Sequence, residues 1–304
     1  MPKTLNNTWT MAAARSALLV LTFLSAACYA QTATNSSWAV LETGRGHKSS
    51  TQRVGAIRVL GLIPDDPHAV ELAEAALKDK NGSVRTAAAT SLGQMHAAGA
   101  NASLKEALND KNLSVVMAAA HALRLLNDPA CYDVYYEVYV GERKNNSGMI
   151  AQEMQILHNP KQLAQMGFNE GIGYVPFAGI PWGALQTIMK DRKSGTAAKA
   201  ALITALATDP EGRTGRLLVT TSQNKNWVLR LAALEAIAKR GDAALLPGIE
   251  PRLSDSRREV RFAAAATIIH LDDVAKAQSA TGTKIAQASS AEIPPTSTAT
   301  EATK

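Results

Sequence analysis

Few of the residue types that perform catalysis stand at spacings that would let them work together. His68, His96, His121 and His270 occur singly, without the second ligand nearby that a zinc or similar metal site needs. Ser222-Gln-Asn-Lys225 has the spacing of a serine nucleophile and a lysine base. Its usual companions, Ser-Asp-Asn and Lys-Thr-Gly, do not accompany it, and so short a match is expected by chance. Gly44-Arg-Gly46-His-Lys48 lacks both the leading glycine and the Gly-Lys step of a phosphate-cradling loop. These residues point to no enzyme, no metal and no cofactor.

The aromatic residues are more informative. Tyr132, Tyr135, Tyr136 and Tyr139 recur at i, i+3, i+4 and i+7, which places them on one side of a helix. Such a stripe packs into a core, or it presents amphipathic rings to a partner. A second cluster, Tyr174, Phe177 and Trp182, lies in a Gly/Pro-rich stretch that carries no charge from Gly171 to Met189. Two prolines and four glycines make it a poor membrane-spanning helix. Three readings stay open for it: a loop buried on the domain, a docking patch for another protein, and shallow insertion into a membrane.

The elements that position these residues repeat along the chain. Ser83-Val84-Arg85 leads into Ala87-Ala88 and Leu92, and Ser114-Val115-Val116 into Ala118-Ala119 and Leu123. Leu229-Arg230 leads into Ala232-Ala233 and Ile237, and Val260-Arg261 into Ala263-Ala264 and Ile268. The spacing puts the alanines and the aliphatic residue on one helical face. Arg53, Arg85 and Val116 are 32 and 31 residues apart, as Lys199, Arg230 and Arg261 are 31 and 31 apart. A degenerate copy at Ser147 leaves an insertion of about 21 residues, near 167–187, before the fifth copy. Second helices are predicted between these, at His68–Lys78, Ala102–Asn109, Pro129–Val140, Pro160–Met166, Gly212–Ser222 and Asp242–Leu253. Two helices in each period of about 31 residues make an all-α protein, an α-solenoid with a right-handed superhelical twist.

The segments Asp79–Ala88 and Asp255–Ala264 read D-x-x-x-x-V-R-x-A-A, which resembles the HEAT repeat in its short, phycobilisome-lyase-like form. Asp110–Ala119 departs from the pattern at Val116, and Asn224–Ala233 at Asn224. The resemblance spans about residues 49–275. It implies a ladder of hydrogen bonds between neighbouring repeats, carried by Asp79, Asp110, Asp255, Arg85, Arg230 and Arg261, and so a structural role for these residues. It also raises a lyase-like activity on a tetrapyrrole as an alternative function. None of the six histidines is followed by glutamate, so the His-Glu pairs of the iron-binding HEAT hydroxylases are missing.

The first 30 residues read as an export signal. Lys3 and Arg15 are their only charges, an apolar run covers Ala17–Ala27, and Cys28-Tyr-Ala30 gives a small-x-Ala cleavage site. Met11 is a second candidate start. Leu24-Ser-Ala-Ala-Cys28 also approaches the box that precedes a lipidated cysteine, although its leucine stands one position too far upstream. Cleavage after Ala30 leaves Cys131 without a disulfide partner.

Of the 304 residues 46% are hydrophobic, 5% aromatic and 19% charged, which rules out collagen, a disulfide-stapled miniprotein and a wholly disordered chain. The net charge of +6 is spread without a basic block, so nucleic acid is not an expected partner. Residues 31–48 read as a linker and 279–304 as a disordered Ala/Ser/Thr-rich tail. Together these features describe an exported, periplasmic or secreted, non-catalytic scaffold that binds another protein. Membrane association could come through residues 171–189 or a lipidated Cys28, the latter making an envelope-anchored structural protein the third alternative.

Overall fold

The computed structural model describes residues 31–140 and 195–291. Helix α1 covers residues 31–45. It is followed by α2 (Ser50–Arg58, extended by a 3-10 segment Val59–Leu62), α3 (Pro67–Ala76), α4 (Gly82–Gln94), α5 (Asn101–Ala107), α6 (Leu113–Leu125) and α7 (Ala130–Val140). The second block holds α8 (Thr196–Ala205), α9 (Gly212–Thr221), α10 (Trp227–Arg240), the short α11 (Leu246–Ile249) and α12 (Arg258–Ala291). No strand occurs among the described residues.

The helices form two layers. α2, α4 and α6 pack side by side, as do α8, α10 and α12, while α3, α5, α7, α9 and α11 lean on them from one side. Alanine makes this close stacking possible. Ala87, Ala88, Ala118, Ala119, Ala232, Ala233, Ala263 and Ala264 are all buried, and every residue from Val84 to Gly93 of α4 is buried. A methyl group added at Gly93 would stand 2.8 Å from the Ala122 Cα of α6.

Three of the inner helices start the same way. Asn81, Asn112 and Asn226 cap α4, α6 and α10, accepting the N–H two residues on. Two residues before each cap, Asp79, Asp110 or Asn224 accepts the cap's own N–H. Three of these inner helices end on a residue in the left-handed region 11 positions after the arginine position: His96 (φ 52°), Asn127 (φ 58°) and Gly241 (φ 64°).

The implied ladder is present for Asp79, Asp110, Asp255, Arg85 and Arg230, and Arg53, which the resemblance did not name, joins it. Arg53 Nε and Nη2 donate to Asp79 at 2.7 and 2.9 Å, Arg85 to Asp110 at 2.6 and 2.7 Å, and Arg230 Nη2 to Asp255 at 2.7 Å. In each, Nη1 turns back to a carbonyl of the arginine's own loop. The Arg53 hydrogen bonds hold the Asp79 carboxyl below the ordinary range against its burial. Burial pushes Asp110 and Asp255 up, and their arginine and N–H bonds outweigh it, leaving both lowered. Arg261 keeps the own-loop contacts, to Asp255 O and Ser256 O, but has no carboxylate partner among the described residues.

The repeats do not stack in chain order. α12 packs on α2 and its 3-10 extension, so the last described repeat lies beside the first. Along the stack the inner helices run α8, α10, α12, α2, α4, α6. The chain therefore enters and leaves near the middle, and residues 141–194 link its two ends.

Three expectations need correction. Residues 31–45 are not a linker but helix α1, the outer helix of the first repeat. Its Thr34, Ser37 and Leu41 are buried, and Trp38 meets the His68 ring of α3 edge-on at 4.6 Å. The stretch expected to be a tail from 279 is helical as far as Ala291. Asp272, which stands where Gly241 stops α10, stays helical and pairs with Lys276 one turn on, and alanine recurs through the residues that follow. Between Asp242 and Leu253 the expected helix is broken into 3-10 turns around α11, because Pro247 and Pro251 interrupt it. The Ser147 copy, Pro160–Met166 and the insertion lie outside the described residues.

Candidate interaction surface

The chemistry-bearing side chains are not gathered into a site. His121 and His270 are drawn into the stack, where burial lowers their pKa and leaves the neutral ring favoured. Cys131 is buried, and its thiol is pushed up by the same cause. Ser222 is buried and donates to Val219 O, the habit of a helix-end hydroxyl. Among the described residues no group of three or more His, Cys, Asp or Glu is disposed to hold a metal. No described helix is long and apolar enough to cross a membrane.

The tyrosine stripe divides. Cys131, Val134 and Val138 form the buried side of α7, and Tyr135 packs partly against the core. Burial raises the Tyr135 phenol, partly offset by Arg124. Tyr132 and Tyr136, one turn apart, are each 64% exposed. They lie on an outer-layer helix, on the side turned away from α6. Tyr139 belongs to α7, but its side chain lies outside the described residues, as do Tyr174, Phe177 and Trp182.

Two exposed residues escape sequence reasoning, Leu202 of α8 (66%) and Leu217 of α9. Ala201 and Leu202 stand two and three positions after Lys199, where the other repeats bury their paired alanines. The signal for Leu202 is therefore in the sequence: it sits on the stacking face. Among the described residues α8 stands at the end of the stack, with α10 as its inner-layer neighbour on one side. Three of the four large apolar side chains left exposed among the described residues thus fall on end helices, Tyr132 and Tyr136 at one end and Leu202 at the other, while Leu217 lies on α9, which packs on α10. A repeat stack must cover such ends with polar residues or with a partner.

Paired helices stacked through alanine, with an Arg–Asp ladder between neighbours, define an α-solenoid. Residues 39–131 match the family model for HEAT repeats. That stretch of the chain is therefore built of HEAT repeats. Repeats of this kind generally mediate protein–protein interaction, and scaffolds built from them are typically non-catalytic. A search of curated proteins finds no match.

Proposed function

We propose that this protein is an exported, non-catalytic scaffold that binds another protein at the open ends of its repeat stack. The observation that carries the proposal is that three of the four exposed large apolar side chains among the described residues stand on the helices at those ends, Tyr132 and Tyr136 on α7 and Leu202 on α8. Two exposed rings one turn apart on a packed helix make low-entropy anchors. The leader-like first 30 residues support an envelope or secreted setting, and mass spectrometry of the mature chain's N-terminal peptide checks it: Gln31 as first residue supports cleavage after Ala30, and a lipid-modified Cys28 supports anchoring. The binding test is affinity capture from the native envelope with the wild type and a Tyr132→Ser/Tyr136→Ser/Leu202→Ser variant. The variant is expected to melt like the wild type and to lose the captured protein. Equal capture by both would reject the ends as the binding surface.

A further inference from the structure

We infer that the joint between α12 and the first repeat is a keyed clasp, which holds residues 31–140 and 195–291 together independently of the chain that links them. This does not rest on the proposed function.

The joint differs in chemistry from its neighbours on either side. Between α10 and α12 the stack has a ladder pair, Arg230–Asp255, and a hydroxyl bond from Thr267 to Leu234 O. Between α2 and α4 it has Arg53–Asp79 and the equivalent bond from Ser91 to Ile57 O. At the α12–α2 joint both ties are missing. His47 stands at the ladder position, six residues before Arg53, and its Nδ1 accepts the Ser49 N–H as the aspartates do in their repeats. Val59 stands where Ser91 and Thr267 donate.

Other contacts replace them. The Phe262 ring of α12 fills a notch that only small residues leave open. A methyl group added at Gly44 would stand 2.6 Å from its Cζ, and one added at Gly55 3.2 Å from its Cδ2. On the outer layer, Thr34 of α1 donates to Asp272 Oδ2 at 2.8 Å, both residues being buried. The same oxygen accepts Lys276 Nζ at 2.7 Å. A ring in a glycine notch and a buried hydrogen bond recognise one matching surface, as a docking interface does. The repeating ladder is compatible with any neighbour of its kind.

The test cuts the full-length protein at a specific-protease site inserted between residues 140 and 195, then runs gel filtration without denaturant. The two fragments are expected to elute together in equal amounts. In the cut Phe262→Ala/Thr34→Val variant they are expected to separate, with affinity at least tenfold weaker. Phe262→Leu, which keeps an apolar side chain and is the milder change if the double variant folds poorly, should lie between. Separation of the wild-type fragments on cutting overturns the inference. So does equal retention by wild type and variants.

Discussion

At the residue scale, two sets of carboxylates respond to pH in opposite directions. Asp79, Asp110 and Asp255 are held below the ordinary range by their arginines. They stabilise the fold above the unfolded-state carboxylate pKa, and that contribution is lost as pH falls through their lowered folded values. Glu235 of α10 is partly buried, and desolvation raises its pKa from 4.5 to about 7, with Arg58 of α2 opposing the rise. A raised carboxyl works the other way: the unfolded chain releases the proton near 4.5, the folded chain near 7, so stability declines as pH rises between those values. Thermal melts should show Glu235→Gln matching the wild type near pH 4.5 and exceeding it by several degrees at pH 8. A lower melting temperature for the variant at pH 8 would mean that ionised Glu235 and Arg58 act as a favourable pair. Of the ladder residues, Asp79, Asp110, Asp255, Arg85 and Arg230 were legible in the sequence, because the aspartate–arginine pattern of the repeats points to them; Arg53, with His47 six residues before it, was missed, and Arg261 was expected but has no carboxylate partner among the described residues. The Arg58–Glu235 approach was not legible, since the two stand 177 positions apart in blocks that the repeat period does not relate.

At the scale of elements, the paired alanines located the inner helices, because a helix that buries both flanks must be thin where its neighbours touch. The same requirement sets the cost of filling Gly93. Alanine is the better helix former, yet its methyl would press on the backbone of α6. Gly93→Ala should therefore destabilise the protein, by about 1–3 kcal/mol as overpacking does. Urea unfolding measures it, and a gain in stability would mean that α4 and α6 separate more easily than their packing implies. Helix α1 was hidden from sequence reasoning because it carries no Asp–Arg signature and buries Thr34 and Ser37, residues that read as linker. In α7 aliphatic and aromatic residues alternate through the same turns, so spacing alone could not tell that Cys131, Val134 and Val138 would be buried and Tyr132 and Tyr136 left outside.

For the whole molecule, the repeat period reports how one repeat meets the next and says nothing about where the first and last repeats go. The order α8, α10, α12, α2, α4, α6 follows from side chains outside the repeat pattern: Phe262, its glycine notch, and the Thr34–Asp272 bond. This order also decides which faces are left open, and so why Tyr132, Tyr136 and Leu202 are exposed together at the ends of a stack. The direct test is a pair of distances by double electron–electron resonance. One pair of spin labels replaces the exposed Lys48 and Ser256, 208 positions apart, and the other replaces Lys111 and Lys199, 88 apart. The stack described above predicts that the Lys48–Ser256 distance is the shorter of the two by several repeat widths. A shorter Lys111–Lys199 distance would mean that the repeats stack in chain order, and would contradict the account.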